Sequence, residues 1–343
     1  MNSTRRSFLR TFTITGIAAA GVRPMLAADP QSDPGKDLRR FPFVQIDVFT
    51  SKRLQGNPLS VFTDARGLSD SEMQDLARET NLQETTFVFP SDPETEREQG
   101  VKVRIFAPDG ELPFAGHPTL GTASVLRQVH PKTSRADQQA APVPREITLS
   151  LKVGKVPVTF REDAEGVFGE MRQPEPVFLD THDRSAVAAA LGLKPDQIEA
   201  DLPLQTVSTG LPFVIVPLKH LSTLQSLQVN LERVYDYLKW DRPIRRDFYY
   251  VTRDTGDSRV GLRARSIYPT GEDPATGSAA GCTSAWMVKN GIARSEETVL
   301  VRQGVEMNRP SDIFVRANKT GENVTNVRVG GHTVQIIEGE VSL

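Results

Sequence analysis

The chain has a single cysteine, Cys282, among 343 residues, so no disulfide can form within it. No basic stripe runs through it, and Lys+Arg number 41 against 43 Asp+Glu, which argues against nucleic acid as a partner. Neither a G-x-G-x-x-G run nor a Walker A run is present, which removes the usual phosphate-cradling signatures of a nucleotide-binding fold. The five histidines, His117, His130, His182, His220 and His332, form no ligand-spaced cluster, so neither a metal nor another cofactor is expected. No apolar run approaches the roughly 20 residues that span a bilayer.

The N-terminus carries an address instead. Ser3-Thr4-Arg5-Arg6-Ser7-Phe8-Leu9-Arg10 has the form of a twin-arginine export signal. An apolar stretch from Thr11 to Val22 follows, then Leu26-Ala27-Ala28, a small-residue end suited to cleavage. The stretch is too short for a membrane anchor. Residues 1–28 are expected to be removed on export to the periplasm, leaving no membrane attachment. With them go Arg5, Arg6, Arg10 and Arg23 and no acid, which leaves 37 basic residues against 43 acidic ones, a net charge of −6.

What the chain does contain is one passage twice. At a fixed offset of 161 residues, Arg104, Pro108, Gly110, Glu111, Pro113, Gly116 and Thr122 recur as Arg265, Pro269, Gly271, Glu272, Pro274, Gly277 and Thr283. A period this long indicates a duplicated domain rather than a solenoid. Each copy reads as an apolar strand, a Pro/Gly turn and a helix of small residues. Two such helix N-termini facing one another would make an anion site. The expected divisions are a linker at 29–40, an N-terminal domain at 41–165, a C-terminal domain at 166–330, and a C-terminal strand at 331–343 that returns to the first domain.

Coarser reading gives strands near 41–50, 59–63, 85–89 and 101–107. A helix opens at Ser69 with Glu72 completing a capping box, and residues 131–145 form a polar loop. In the second half, strands fall near 147–151, 155–160, 167–172, 213–217, 248–252 and 259–267. A helix near 184–191 ends at Gly192, a repeat helix covers 277–290, and short strands finish the chain. Strands outnumber helices, and the small residues of 116–124 and 277–285 suit a helix wrapped closely by a curved sheet. The class is α+β.

Four side chains could carry chemistry. Glu84 directly precedes an apolar strand, His117 starts the first repeat helix, and Asp273 and Ser278 flank the turn into the second. Each has a plainer alternative. Glu84 could be a solvated loop acid, His117 a helix-terminal residue, and Asp273 or Ser278 a cap. Cys282 reads as a core residue. The combination is more pointed, because His117 and Ser278 hold equivalent positions beside two sets of free backbone amides. These could hold a carboxylate, and a rim glutamate with a raised pKa could move protons.

The chain resembles the PhzF family of phenazine-biosynthesis-like proteins. The matching segments include 54–58 (Leu-Gln-Gly-Asn-Pro), 81–88 (Asn-Leu-Gln-Glu-Thr-Thr-Phe-Val), 111–118 (Glu-Leu-Pro-Phe-Ala-Gly-His-Pro), 272–281 (Glu-Asp-Pro-Ala-Thr-Gly-Ser-Ala-Ala-Gly) and 303–311 (Gln-Gly-Val-Glu-Met-Asn-Arg-Pro-Ser). Asn308 departs from the glycine that many relatives carry. The resemblance implies the diaminopimelate epimerase-like fold, with two similar domains, each a barrel-like sheet around a central helix, and the active site between them. It implies a homodimer without cofactor that acts on a small amino- or hydroxy-carboxylate. In the family's namesake enzyme the substrate is trans-2,3-dihydro-3-hydroxyanthranilate, isomerised by a proton shift from C3. Glu84 then matches the general acid/base. His117, Asp273 and Ser278 match the polar substrate-holding residues, and Gly116 and Gly277 the helix-start amides. Two-thiol epimerases of the same fold would place their cysteines near Ala115 and Thr276, where this chain has none. The rival readings are a periplasmic binding protein that keeps the pocket without turnover, and a lyase or isomerase of different substrate.

Overall fold

The computed structural model describes residues 38–129, 143–239, 246–268 and 271–343, and Arg40–Leu343 form one compact unit. The expected export signal, most of the linker and most of the 131–145 loop lie outside the described residues.

The first run of strands is β1 (Arg40–Val48), β2 (Asn57–Phe62), β3 (Thr85–Phe89), β4 (Val101–Ala107), β5 (Gly110–Leu112), β6 (Glu146–Leu151), β7 (Gly154–Asp163) and β8 (Gly166–Arg172). The second is β9 (Val177–Thr181), β10 (Gln205–Ser208), β11 (Pro212–Pro217), β12 (Asp247–Thr252), β13 (Leu262–Tyr268), β14 (Gly271–Asp273), β15 (Val299–Gln303), β16 (Ser311–Thr320) and β17 (Asn323–Ser342). The α-helices are α1 (Asp70–Thr80), α2 (Pro93–Gln99), α3 (Gly116–Val129), α4 (Arg184–Leu191), α5 (Leu221–Ser226), α6 (Leu231–Leu238) and α7 (Gly277–Lys289).

The two runs share one pairing series. Antiparallel β1·β2, parallel β2·β3, antiparallel β3·β4 and β4·β5, parallel β4·β6, and antiparallel β6·β7 and β7·β8 build the first. The same senses recur from β10·β11 through β11·β12, β12·β13, β13·β14, β13·β15, β15·β16 and β16·β17. β17 begins against β16 and β8 and ends against β1 over Thr333–Ser342, which closes an eight-stranded barrel of β1, β2, β3, β4, β6, β7, β8 and β17. The end of the chain is therefore one 20-residue strand, not the short strands expected.

The repeat is preserved residue by residue. β4, β5 and α3 begin at 101, 110 and 116, and β13, β14 and α7 begin at 262, 271 and 277. Each copy carries the same bidentate ion pair. Arg104 grips Glu111 with Nε–Oε1 and Nη2–Oε2 both at 2.8 Å, and Arg265 grips Glu272 with the same two distances. That pair ties the two strands of the turn just ahead of the helix.

α3 and α7 are the buried axes of the two runs. Every residue from Gly116 to Leu126 and from Gly277 to Val288 is buried. A helix enclosed on all sides must satisfy its own hydroxyls: Thr122 pairs with Thr86 across to β3 at 2.8 Å, and three others bond back one turn. Thr119 Oγ1 donates to the Ala115 carbonyl at 2.7 Å, Ser124 Oγ to Leu120 at 2.9 Å and Thr283 Oγ1 to Ala279 at 2.9 Å. The two helices start against each other. A Cβ built at Gly116 would lie 2.5 Å from the Ser278 amide nitrogen and 2.6 Å from the Gly277 carbonyl carbon.

Candidate active site

A cavity of about 520 Å³ opens where α3 and α7 begin, in the range of small-molecule sites. All six residues singled out in the sequence, Glu84, Gly116, His117, Asp273, Gly277 and Ser278, line it. Ala115 and Thr276 line it too, so the positions where a two-thiol enzyme would carry its cysteines face the cavity without sulfur. Cys282 does not line it. It is fully buried, with Sγ 3.4 Å from Thr209 Oγ1 and 3.6 Å from the Leu211 carbonyl, and burial pushes its thiol up to about 11. Replacing Cys282 by serine should leave activity intact and cost stability by no more than about 1–2 kcal/mol, because a hydroxyl finds the same two partners. Equilibrium unfolding and turnover of Cys282→Ser check this.

Backbone hydrogen bonding within α3 reaches back from Thr119 to Ala115, and within α7 from Ala280 to Thr276. The amides of Gly116, His117, Gly277 and Ser278 precede those bonds and are not used by the helices themselves. Two positive helix ends thus converge on one cavity. Its described lining holds Glu84, Asp109, Asp247 and Asp273 and no Lys or Arg, so an anion held there depends on backbone dipoles.

Glu84 sits between α1 and β3. Ser69 caps α1 as expected, with its Oγ accepting from the Glu72 amide at 3.3 Å and its own amide donating to Glu72 Oε2 at 2.8 Å. The helix ends in left-handed Asn81, at φ 50°. Thr85 then enters β3 fully buried, leaving Glu84 at the cavity wall with 17% of its side chain exposed. Its Oε2 is buried without a hydrogen-bond partner and lies 3.4 Å from His117 Nε2, itself buried and unpartnered. Burial pushes the Glu84 carboxyl well above the usual carboxylate range, and the charges of Asp273 and Asp109 push the same way. Burial lowers His117 to about 3, which keeps its imidazole neutral.

Asp273 ends β14. Its Oδ1 accepts from Asn57 Nδ2 at 2.6 Å and its Oδ2 from Thr276 Oγ1 at 2.7 Å. Gln303, fully buried, donates from Nε2 to the Asp273 carbonyl at 2.7 Å and to Thr276 Oγ1 at 2.9 Å. Its Oε1 accepts from the Thr276 amide at 3.0 Å and from Tyr249 at 2.9 Å. Burial raises Asp273 to about 7 against the pull of those hydrogen bonds.

A carboxyl that binds its proton more tightly when folded destabilises the fold as pH rises, here from about 3.8 through about 7. His117 acts oppositely, since stability is lost as pH falls from 6.5 toward 3. The Asp273→Asn variant should therefore gain on wild type as pH is raised from 4.5 to 7.5. Urea midpoints at the two pH values test this, and a difference that does not change with pH counts against it.

Asn57, Thr276, Gln303 and the cavity-lining Tyr268 escaped sequence reasoning as contributors to the site. Gln303 and Asn57 lie in the segments 303–311 and 54–58 that match the family, which marked the segments without assigning either side chain a role.

A small-molecule-sized cavity at the starts of two paired helices, lined by a carboxyl of raised pKa and a neutral imidazole, carries the groups that acid/base chemistry needs. The chain matches the family described as phenazine biosynthesis-like protein over residues 46–339, and it belongs to that family of isomerases. It is 33% identical over 305 residues to trans-2,3-dihydro-3-hydroxyanthranilate isomerase of Pseudomonas aeruginosa, a match that covers 88% of this chain and 99% of that one. A solved phenazine biosynthesis protein of the PhzF family from Bacillus anthracis matches with TM-score 0.75 at 28% identity, over 88% of this chain and 99% of that chain. A hydroxyproline epimerase from Agrobacterium vitis shares the fold alone, with TM-score 0.58 at 10% identity over 89% and 92% of the two chains. The fold is diaminopimelate epimerase-like.

Proposed function

We propose that this chain is an exported, cofactor-independent isomerase in which Glu84 moves a proton between two carbons of a small unsaturated amino- or hydroxy-carboxylate. The observation that carries the reading is the sealed, unpartnered Glu84 Oε2 beside His117 Nε2 at the wall of the cavity. Desolvation brings the carboxyl toward the working pH, where an acid/base is most effective. The helix-start amides of Gly116 and Gly277 hold the substrate carboxylate, while His117, Asp273 and Ser278 hold the rest of the substrate and assist the transfer.

A trans-2,3-dihydro-3-hydroxyanthranilate-like substrate fits this scheme by analogy with the Pseudomonas aeruginosa relative. The Glu84 carboxylate takes the proton from C3, and the C–H electron pair enters the conjugated system. The carboxylic acid so formed returns a proton to another carbon of that system. The formula of the substrate is unchanged, and no oxidant or reductant is needed.

The remainder of the reading concerns organisation and location. Two domains, 41–165 and 166–330, with residues 331–343 returning to the first, are part of this reading, and the recurrence of one pairing series in both runs of strands supports the duplication though not the exact boundary. A homodimer is proposed from the family resemblance. Export to the periplasm rests on Arg5-Arg6 and the segment after them. Changing Arg5 and Arg6 together to lysine should hold the precursor in the cytoplasm, as fractionation would show, and unchanged export would contradict the twin-arginine reading.

The experiment for the function is a thermal-shift screen of small carboxylates, since a ligand of the native state raises the midpoint. Hits, and trans-2,3-dihydro-3-hydroxyanthranilate itself, are then assayed for turnover. Binding without turnover of any hit would favour the binding-protein alternative.

A further inference from the structure

We propose that Asn57 is a positioning residue for this reaction, locking His117 in the neutral form that carries its hydrogen on Nε2 while it holds Asp273 from the other run of strands. The proposal rests on Glu84 being the acid/base.

Asn57 opens β2 and is fully buried. Its Nδ2 faces three groups: His117 Nδ1 at 3.0 Å, Asp273 Oδ1 at 2.6 Å and the Ala275 carbonyl at 2.9 Å. The reverse orientation of the amide would press its oxygen against the Ala275 carbonyl, which can only accept, and against Asp273 whenever that carboxyl is ionised, so the NH₂ group points inward and Oδ1 is left buried without a partner. An amide NH₂ donates and does not accept. A hydrogen on His117 Nδ1 would therefore have nothing to bond and would meet two others. Nδ1 is bare, and the ring's one hydrogen sits on Nε2.

Nε2 is the atom 3.4 Å from Glu84 Oε2. An N–H there sets its positive end beside the Glu84 carboxylate, the form that takes a proton from carbon, although at 3.4 Å the two atoms are neighbours rather than a formed hydrogen bond. The other tautomer would set a nitrogen lone pair against the oxygen lone pairs and disfavour that form. One amide thus settles what the acid/base faces, and it joins His117, 60 residues away, to Asp273, 216 residues away.

The fold spends several bonds on placing Asn57. Arg309 donates from Nε to the Gly56 carbonyl at 2.8 Å, and from Nη2 to the Gln55 carbonyl at 3.0 Å and Asp47 Oδ1 at 2.8 Å. Asp47 Oδ2 accepts from the Leu54 amide at 2.8 Å, and the Gly56 amide donates to the Pro310 carbonyl at 3.2 Å. Gly56 has φ +71°, and a Cβ there would lie 2.4 Å from the Val48 carbonyl oxygen, so glycine is required. The turn that delivers Asn57 from the first run is held by residues 309 and 310 of the second.

The test reads the tautomer directly. In ¹⁵N-labelled protein at pH 7 the two ring nitrogens of His117 are distinguished by which one bears the hydrogen, with the signal assigned by its loss in His117→Gln. The wild type should show a bare Nδ1 and a protonated Nε2. Asn57→Asp replaces the donor with an acceptor, so the hydrogen should move to Nδ1 and kcat should fall by roughly 10²-fold or more while ligand affinity changes a few-fold. If Asn57→Asp does not fold, Asn57→Ala should give mixed tautomers and the same loss in kcat. A wild type with its hydrogen on Nδ1, or an Asn57 variant that keeps both tautomer and rate, overturns the proposal. The tautomer is measured in free protein, so a fully active Glu84→Gln variant would overturn the acid/base reading separately.

Discussion

Glu84→Gln should lose turnover by roughly 10²–10⁴, the usual contribution of a positioned acid/base, while binding its ligand as well as wild type. Glutamine preserves the shape of the side chain and its capacity to accept from His117 Nε2. It has no basic oxygen to take a proton from carbon. Ligand affinity should survive, because it depends on the α3 and α7 amides and on His117, Asp273 and Ser278, none of which the substitution moves. The split matters more than the loss. A variant that lost binding and turnover together would indicate a damaged pocket, and one that kept both would remove Glu84 from the chemistry. The comparison uses kcat and a directly measured Kd on the same preparation.

Gly116→Ala should have the largest structural effect of any single methyl group added at the site. The new Cβ would lie 2.5 Å from the Ser278 amide nitrogen, 2.6 Å from the Gly277 carbonyl carbon and 2.7 Å from the Gly277 Cα. All three are backbone atoms, so no rotamer change relieves the clash, and the two helix starts must part. Overpacking of this kind costs about 1–3 kcal/mol, and parting the anion-holding amides by about 1 Å can cost roughly 10²-fold in rate. Gly110→Ala is the matched control, since nothing lies within 4 Å of the Cβ it would add. Urea unfolding should separate the two variants clearly, and a Gly116→Ala protein with wild-type stability and rate would mean that the helices do not abut as described.

The part of the site carried by the repeat was legible because its residues do the same physical work twice. Arg104 and Glu111, like Arg265 and Glu272, recur because each copy needs the same ion pair to tie its turn, and the helix that follows places His117 and Ser278 equivalently. The Ser69 capping box was legible for a local reason, since both its hydrogen bonds lie within four residues. α2 was not foreseen because it buries nothing and so has no apolar stripe. Only the Asp92 cap and Pro93 marked it. The chain end was expected as short strands, yet β17 runs unbroken through Gly330, which pairs with both β16 and β8, and Gly331, which pairs with β8. Asn308 adopts the left-handed conformation at φ 57° that asparagine tolerates. Asn57 lies in Gly-Asn-Pro, whose local pattern is that of a turn. Its partners are 60 and 216 residues away, and no local pattern encodes that meeting.

The most direct test of proton transfer by Glu84 is loss of label from carbon. Substrate deuterated at the carbon that gives up its proton, trans-2,3-dihydro-3-hydroxyanthranilate labelled at C3 or the corresponding position of a ligand found by screening, is incubated with wild type and with Glu84→Gln at saturating concentration. Mass spectrometry and NMR follow the label at that position over time. The account predicts that wild type removes the deuteron from its original carbon, while Glu84→Gln, with the ligand bound equally well, leaves it there on the same timescale. Removal of the label by Glu84→Gln at the wild-type rate would contradict it.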